Sequence, residues 1–339
     1  MSNKTDSWHI LIIKLGAMGD VLRTTFLLEG LKDIYPKSSI SWIVAKNNAC
    51  VLQNNHFIDE IIPSDDKTNS FLTTHFFDIV INLDLAPESL SLAKLANTRK
   101  VCGYVVDNLR QVIPSNDFAD KWLSMSAYDE LKKANQNTYQ FWMSKIVGIP
   151  KADYEINVPL TKDSMEKADK FFKNLNVKTD KKIIGINPGA GKRWKMKKWT
   201  TEGFIETARA FSKKGHIILL LGGNDDRDEI ENILSAKIPN VFSTGLDNSI
   251  ADFFAMINLC DVILCGDTMA LHAALGLKKN VVVIFGPTSA AEIEVYGRGS
   301  KIFADKKCLC CYKPNCDKKE TCMDAVKTET VIKTMERYL

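Results

Sequence analysis

The sequence predicts an α/β protein built from two doubly wound, Rossmann-like domains facing a central cleft. Three observations predict it. Apolar runs of strand length alternate with amphipathic helical segments from end to end, as expected for parallel sheets covered on both faces. The pattern restarts after the polar stretch at residues 151–162. The length, 339 residues, accommodates two domains at roughly 150 residues each.

Taken in order, residues 9–15 read as the first strand, and a helix over 20–35 follows and stops at Pro36. Residues 40–45 and 77–83 are further strands, and 128–147, with Leu, Tyr, Phe and Trp at helical spacing, reads as one long helix. The second half gives a strand at 182–187, a helix at 201–213, a strand at 216–221 and a helix at 226–236. Strands at 261–265 and 281–285 come next, each followed by turn residues and a helix. The domains are drawn at 1–160 and 161–325, with a C-terminal helix over 326–339.

Composition narrows the function. Apolar residues make up 45% and charged residues 25%, an ordinary globular profile, and the net charge of +4 is too small for a nucleic-acid stripe. A local basic patch facing a phosphorylated or anionic-lipid substrate remains open. The longest apolar runs, at 217–221 and 281–285, fall far short of the about 20 residues that a spanning helix needs. The run Ile10 to Ile13 is cut by Lys14 and is too short for a secretory signal. The expectation is a cytoplasmic chain.

Ligands of doubly wound sheets lie beyond the carboxyl ends of the strands, so the residues that follow strands carry the chemistry. After the first strand comes Lys14-Leu15-Gly16-Ala17-Met18-Gly19-Asp20. Gly16 and Gly19 permit close backbone approach to a ligand at a helix N-terminus, but the G-x-G-x-x-G fingerprint is absent. Two readings of Asp20 stand: a cap or first-turn carboxylate complementing the helix dipole, or a catalytic carboxylate. Asp84, Arg99 and Arg110 flank strands and are candidates for meeting acceptor phosphates or hydroxyls, the other reading of each being a surface residue or structural ion pair.

The second half opens with Asn187-Pro188-Gly189-Ala190-Gly191-Lys192-Arg193-Trp194. This is not a Walker A loop, yet small residues followed by Lys and Arg suit a diphosphate; a solvated basic loop is the other reading. Next comes Cys265-Gly266-Asp267-Thr268-Met269-Ala270-Leu271-His272, in which Asp267 or Thr268 caps a helix and Thr268 and His272 share a face. Gly286-Pro287-Thr288-Ser289 should begin another helix, giving three N-termini at one sheet edge.

These motifs together resemble glycosyltransferase family 9, the ADP-heptose:lipopolysaccharide heptosyltransferases. Residues 14–24 look like the family's opening. Lys192-Arg193-Trp194 with Trp199, Gly266-Asp267-Thr268 with His272, and Gly286-Pro287-Thr288 resemble its donor motifs in the same order. The resemblance implies a GT-B fold, the acceptor on the N-terminal domain, the nucleotide-sugar on the C-terminal domain, and inversion without a catalytic metal. It makes Asp20 the general base on a loop formed by Gly16, Ala17 and Gly19. Gly189, Ala190 and Lys192 would hold the diphosphate, Asp267, Thr268, Met269 and His272 the sugar and phosphates, and Asn248 the nucleoside. Gly16-Ala17 and Gly189-Ala190 stand where these enzymes often carry hydroxyl residues, which leaves donor and acceptor identity open.

The implied donor is ADP-heptose, and the implied acceptor is a lipid-linked or glycan molecule of the lipopolysaccharide core, met peripherally at the inner face of the cytoplasmic membrane. Another nucleotide-sugar, or a protein or polysaccharide acceptor, is the alternative within the family. An NAD-dependent oxidoreductase shares the architecture but lacks its glycine fingerprint here. Finally, Cys308, Cys311, Cys316 and Cys322 have spacing able to surround one structural Zn or Fe ion, with Cys310 in excess. A set of reduced thiols is the other reading. That cluster alone could suggest a metal-thiolate redox or nucleic-acid-binding protein, a poor match to two large α/β domains.

Overall fold

A computed structural model describes residues 7–177 and 180–339, and the side chains of Lys192 and Arg193 lie outside what it describes. The chain divides into two compact units, the first running to Pro159 and the second spanning Leu160–Leu339.

The first unit holds a six-stranded sheet in the order β3-β2-β1-β4-β5-β6. Its strands are β1 (His9–Ile13), β2 (Ser39–Ala45), β3 (Glu60–Ser64), β4 (Phe76–Asn82), β5 (Asn97–Val106) and β6 (Val112–Pro114). All neighbours are parallel except the antiparallel β5–β6 pair. β1 carries four consecutive buried residues, because a central strand covered on both faces must be apolar throughout.

The second unit repeats the topology. β7 (Ile183–Asn187), β8 (Ile217–Leu220), β9 (Val241–Ser243), β10 (Val262–Gly266), β11 (Asn280–Ile284) and β12 (Gly299–Ile302) form a parallel sheet in the order β12-β11-β10-β7-β8-β9. In each unit the chain runs outward one way from its first strand and then returns to start again on the other side. The switch points fall between β1 and β4 and between β7 and β10, which is where crevices open at the strands' carboxyl ends. The C-terminal helix Thr328–Met335 belongs to the second unit, with Val331 and Met335 fully buried in its core.

Some elements differ from the sequence expectation. The single helix expected over 20–35 is two, Met18–Thr24 and Leu27–Ile34. Between them the backbone tightens to i−3 hydrogen bonds at Thr25 and Leu28. The Thr25 hydroxyl turns back to the Leu22 carbonyl and receives the Asn157 N–H at 2.9 Å. The long helix expected over 128–147 is also divided, into Asp129–Ala134 and Tyr139–Val147. Asn135 accepts from the Trp142 indole at 3.0 Å and from the Asn137 N–H, while Thr138 caps the second piece. No helix is found at Gly286-Pro287-Thr288, where the chain runs on in turns and bends to Arg298.

Candidate functional site

Each switch point is bridged by a side-chain bond, and the predicted residues gather around those two bridges. In the first unit Lys14 leaves β1 and its ammonium pairs with Asp84, which follows β4; both side chains are buried. The other Asp84 oxygen accepts the N–H groups of Leu15 at 2.6 Å and Gly16 at 3.0 Å. Asn48 grips the same loop from its carbonyls, donating to Leu15 O at 2.8 Å and to Gly16 O. Burial opposes the Lys14 charge, yet Tyr139, Asp84 and Asp20 outweigh it and hold its pKa above the ordinary 10.5. The strand-to-helix loop is therefore fixed on both edges by charge-assisted and amide bonds.

Asp20 emerges from this loop as the third residue of the helix Met18–Thr24, whose cap position is Ala17. It is thus a first-turn carboxylate and not the cap residue. Its side chain is 40% exposed and pairs with the Arg23 guanidinium at 2.9 Å. Arg23 in turn lies 3.9 Å above the Tyr139 ring, a cation–π stack. A methyl group on Gly16 would sit 3.4 Å from Lys14 Nζ and 3.5 Å from Asp20 Cβ, ordinary contacts, so Gly16 is not sterically required here.

Of the suggested acceptor residues, Asp84 is a buried anchor of the loop. Arg99 is 71% exposed and pairs with Asp78 at 3.4 Å near the amino ends of β4 and β5, away from the carboxyl edge. Arg110 sits in the β5–β6 turn with a left-handed φ of 63°.

In the second unit Asn187, buried at the end of β7, donates to Leu221 O at 2.8 Å and accepts the Thr268 hydroxyl at 3.0 Å across the switch point. Thr268 occupies the cap position of the helix Met269–Gly276, but its hydroxyl is spent on Asn187 and makes no cap bond to that helix. The start of that helix therefore has no side-chain cap from Thr268, the arrangement that favours an anion at a helix N-terminus. Asp267 takes an ion pair from Lys197 at 2.7 Å, and Lys197 also reaches the Asp267 carbonyl at 3.3 Å. Met269 begins the helix and His272 is buried one turn on.

Gly189 has a steric reason to be glycine: an added Cβ would fall 1.7 Å from a carboxylate oxygen of Asp226. Burial pushes the Asp226 carboxyl above its usual range, against the bond it receives from the Gly223 N–H. Ala190 is half-buried beside it. Asn248 spends its amide on the Thr244 and Gly245 carbonyls, shaping the loop before the helix Ile250–Leu259.

The expected trio of helix N-termini at this edge reduces to one α-helix. After β7 comes a 3-10 segment, Lys192–Lys197, and after β11 come turns. The side chain of Lys192 lies outside the described residues; the cation placed at Asp267 is Lys197, which sequence reasoning passed over. Its signal was available: Lys197-Lys198-Trp199 runs straight into the cap Thr200, and Trp199 is locked by its indole bond to Val326 O at 3.2 Å. Asp226, Asn48 and the Arg23–Tyr139 stack had no comparable local signal.

At Cys308, Cys311, Cys316 and Cys322, where one structural ion is expected, the thiols are unbridged and Cys316 is exposed. Among the described residues no three His, Cys, Asp or Glu side chains are grouped to hold an ion. The thiols share one loop, since burial first and then Cys311, Cys308 and Cys316 push the Cys322 thiol up, but Cys316 faces solvent. The loop lies against the turn after β11: Cys310 N–H bonds Gly286 O at 3.2 Å and Tyr312 N–H bonds Pro287 O at 2.8 Å.

Two Rossmann-like domains, each with a switch point at the carboxyl edge of its sheet, are the architecture of GT-B glycosyltransferases. The family model for glycosyltransferase family 9 (heptosyltransferase) matches residues 69–322, and the chain belongs to that family. It is 29% identical over 174 residues to lipooligosaccharide heptosyltransferase 2 of Campylobacter jejuni, covering 50% of this chain and 55% of that one. The chain thus spans about half the length of these curated relatives. Among solved structures, a family 9 glycosyl transferase from Veillonella parvula superposes with a TM-score of 0.81 at 19% identity, covering 100% of this chain and 98% of that chain. The E. coli ADP-heptose lps heptosyltransferase II gives 0.70 at 15% identity, with 97% and 98% covered. No described helix is long and apolar enough to cross a membrane.

Proposed function

We propose that this chain transfers heptose from ADP-heptose to a lipopolysaccharide-core or related glycan, with inversion at the anomeric carbon and without a catalytic metal. The observation that carries the reading is the carboxyl edge of the second sheet. There a helix start without a side-chain cap, the Asn187–Thr268 bridge and the half-buried Lys197–Asp267 pair coincide with the family's donor motifs. The second unit would hold the donor through Gly189, Ala190, Lys192, Asp267, Thr268, Met269 and His272, with Lys197 as a further cation at Asp267 and Asn248 shaping the nucleoside loop. Similarity to an enzyme described by its ADP-heptose donor supports the choice of sugar and base. Family membership supports a lipid-linked acceptor, met peripherally from the cytoplasmic side of the inner membrane.

In the transfer, the acceptor oxygen bonds to the anomeric carbon as its proton passes to Asp20. The bond from that carbon to the diphosphate oxygen breaks, and its electron pair leaves with ADP. Lys197 and the first-turn N–H groups of Met269–Gly276 offset the charge that develops there, the work that a divalent ion does in other transferases.

Incubation with ADP-heptose and truncated core glycan should add one heptose by mass, with undiminished rate in EDTA. Lys197→Ala is expected to weaken ADP binding by about 1–3 kcal/mol, the range for a charge-assisted hydrogen bond. Calorimetry with unchanged ADP affinity would remove Lys197 from the site, and UDP binding far tighter than ADP would end the heptose assignment. For the cysteine loop, the proposal is one structural ion held by Cys308, Cys311, Cys316 and Cys322 once the exposed thiol folds in. Elemental analysis should then find about one Zn or Fe per chain, and chelation should lower the thermal midpoint. A stoichiometry near zero ends the idea.

A further inference from the structure

Asp20 is flanked by two cations, and each is anchored by a different element. Lys14, from the end of β1, is close enough for its charge to be felt at Asp20 and is itself fixed by Asp84 after β4. Arg23, one turn along the same helix, contacts the carboxylate directly at 2.9 Å. Its guanidinium carbon lies 3.9 Å from the ring centre of Tyr139, from the helix Tyr139–Val147. Tyr139 is buried and its orientation is itself set. Its hydroxyl bonds the Thr24 hydroxyl at 2.8 Å, which donates to the Asp20 carbonyl at 2.6 Å, and Phe26 and Trp122 pack edge-on against its ring.

We infer that Arg23, held by its stack on Tyr139, is the positioning residue that presents the Asp20 carboxylate to the acceptor hydroxyl. The inference rests on the reading of Asp20 as the general base. The physical argument is one of order. A half-exposed carboxylate on a seven-residue helix can turn among several rotamers. A planar guanidinium fixed from below by an aromatic face permits few of them, and it is more selective than an ammonium because its donors have a fixed fork. Lys14, Asp84 and Tyr139 are among the charged or titratable groups of this corner, and Lys14 is committed to Asp84.

The test compares Arg23→Met, Arg23→Lys and Asp20→Asn in a transfer assay across pH. Arg23→Met keeps the length of the side chain and its contact with Tyr139 while removing charge and fork. Its kcat should fall on the order of 10²-fold with the donor KM unchanged, as for a misplaced catalytic group. The acidic limb of its rate profile should move to higher pH, because a carboxylate loses the cation beside it. Arg23→Lys should restore the limb and only part of kcat, because charge returns without the fork. Parent-like kcat and an unmoved limb in Arg23→Met, with Asp20→Asn inactive, overturn the positioning role while leaving Asp20 as base. An active Asp20→Asn removes the base itself. Circular dichroism and ADP affinity equal to the parent's identify a folded variant; if Arg23→Met fails that control, the limb and kcat of Arg23→Lys decide.

Discussion

Asp20→Asn is expected to lower the transfer rate by about 10²–10⁴-fold while donor affinity stays at the parent value. The expectation follows from where the residue stands. It is the third residue of its helix, behind the cap position Ala17, and its carboxylate faces solvent on one side and Arg23 on the other. Asn preserves size and remains compatible with the first helical turn, so a purely structural carboxylate would be replaced with little harm. Loss of the basic oxygen alone should stop the acceptor proton from leaving. Steady-state kinetics with the acceptor saturating decides the matter: turnover within a few-fold of the parent would reduce Asp20 to a dipole partner.

A second large effect is expected at Asp84, on stability. Its two oxygens hold the buried Lys14 ammonium and the N–H groups of Leu15 and Gly16. Asp84→Leu leaves an uncompensated buried cation and two orphaned donors, and should cost about 3–5 kcal/mol. Lys14→Met combined with Asp84→Leu should recover much of that loss, because the expensive state is the half-broken pair. Urea unfolding reads both variants, and an Asp84→Leu midpoint equal to the parent's would mean that the pair contributes nothing. The alkaline response adds a signed check. Lys14 has a folded pKa above its ordinary 10.5. Its contribution is therefore complete below that value and is lost as pH rises through the folded pKa. The parent should lose this contribution at strongly alkaline pH, and the double variant should lack the component.

How much could be read from the chain alone depended on whether the governing interaction was local. The central strands were legible because each must be apolar on both faces: Ile10 to Ile13 and Val281 to Ile284 carry their burial in their composition. The sheet edges were not. β3 contains Glu60 and Pro63, β6 and β9 have three residues each, and β12 reads Gly-Ser-Lys-Ile. Such segments become strands only when a neighbour supplies the hydrogen-bonding edge. The two divided helices show the same limit. Thr25 and Asn135 act through partners, Asn157 and Trp142, that a periodic pattern does not name.

The sequence by itself determined the class: two doubly wound domains, family 9 motifs in order, and Asp20, Asp267 and Thr268 placed after central strands. Those features follow from hydrophobic periodicity and from loop composition, both local properties. Only the tertiary structure decided which cation serves Asp267, since Lys197 reaches it across 70 positions of chain. It also decided that Thr268 bridges to Asn187, that Asp84 anchors the first loop, and that Arg23 rests on Tyr139. Each of these is a contact between elements distant in sequence. Sheet order and register bring them together, and neither is written in any short stretch of residues.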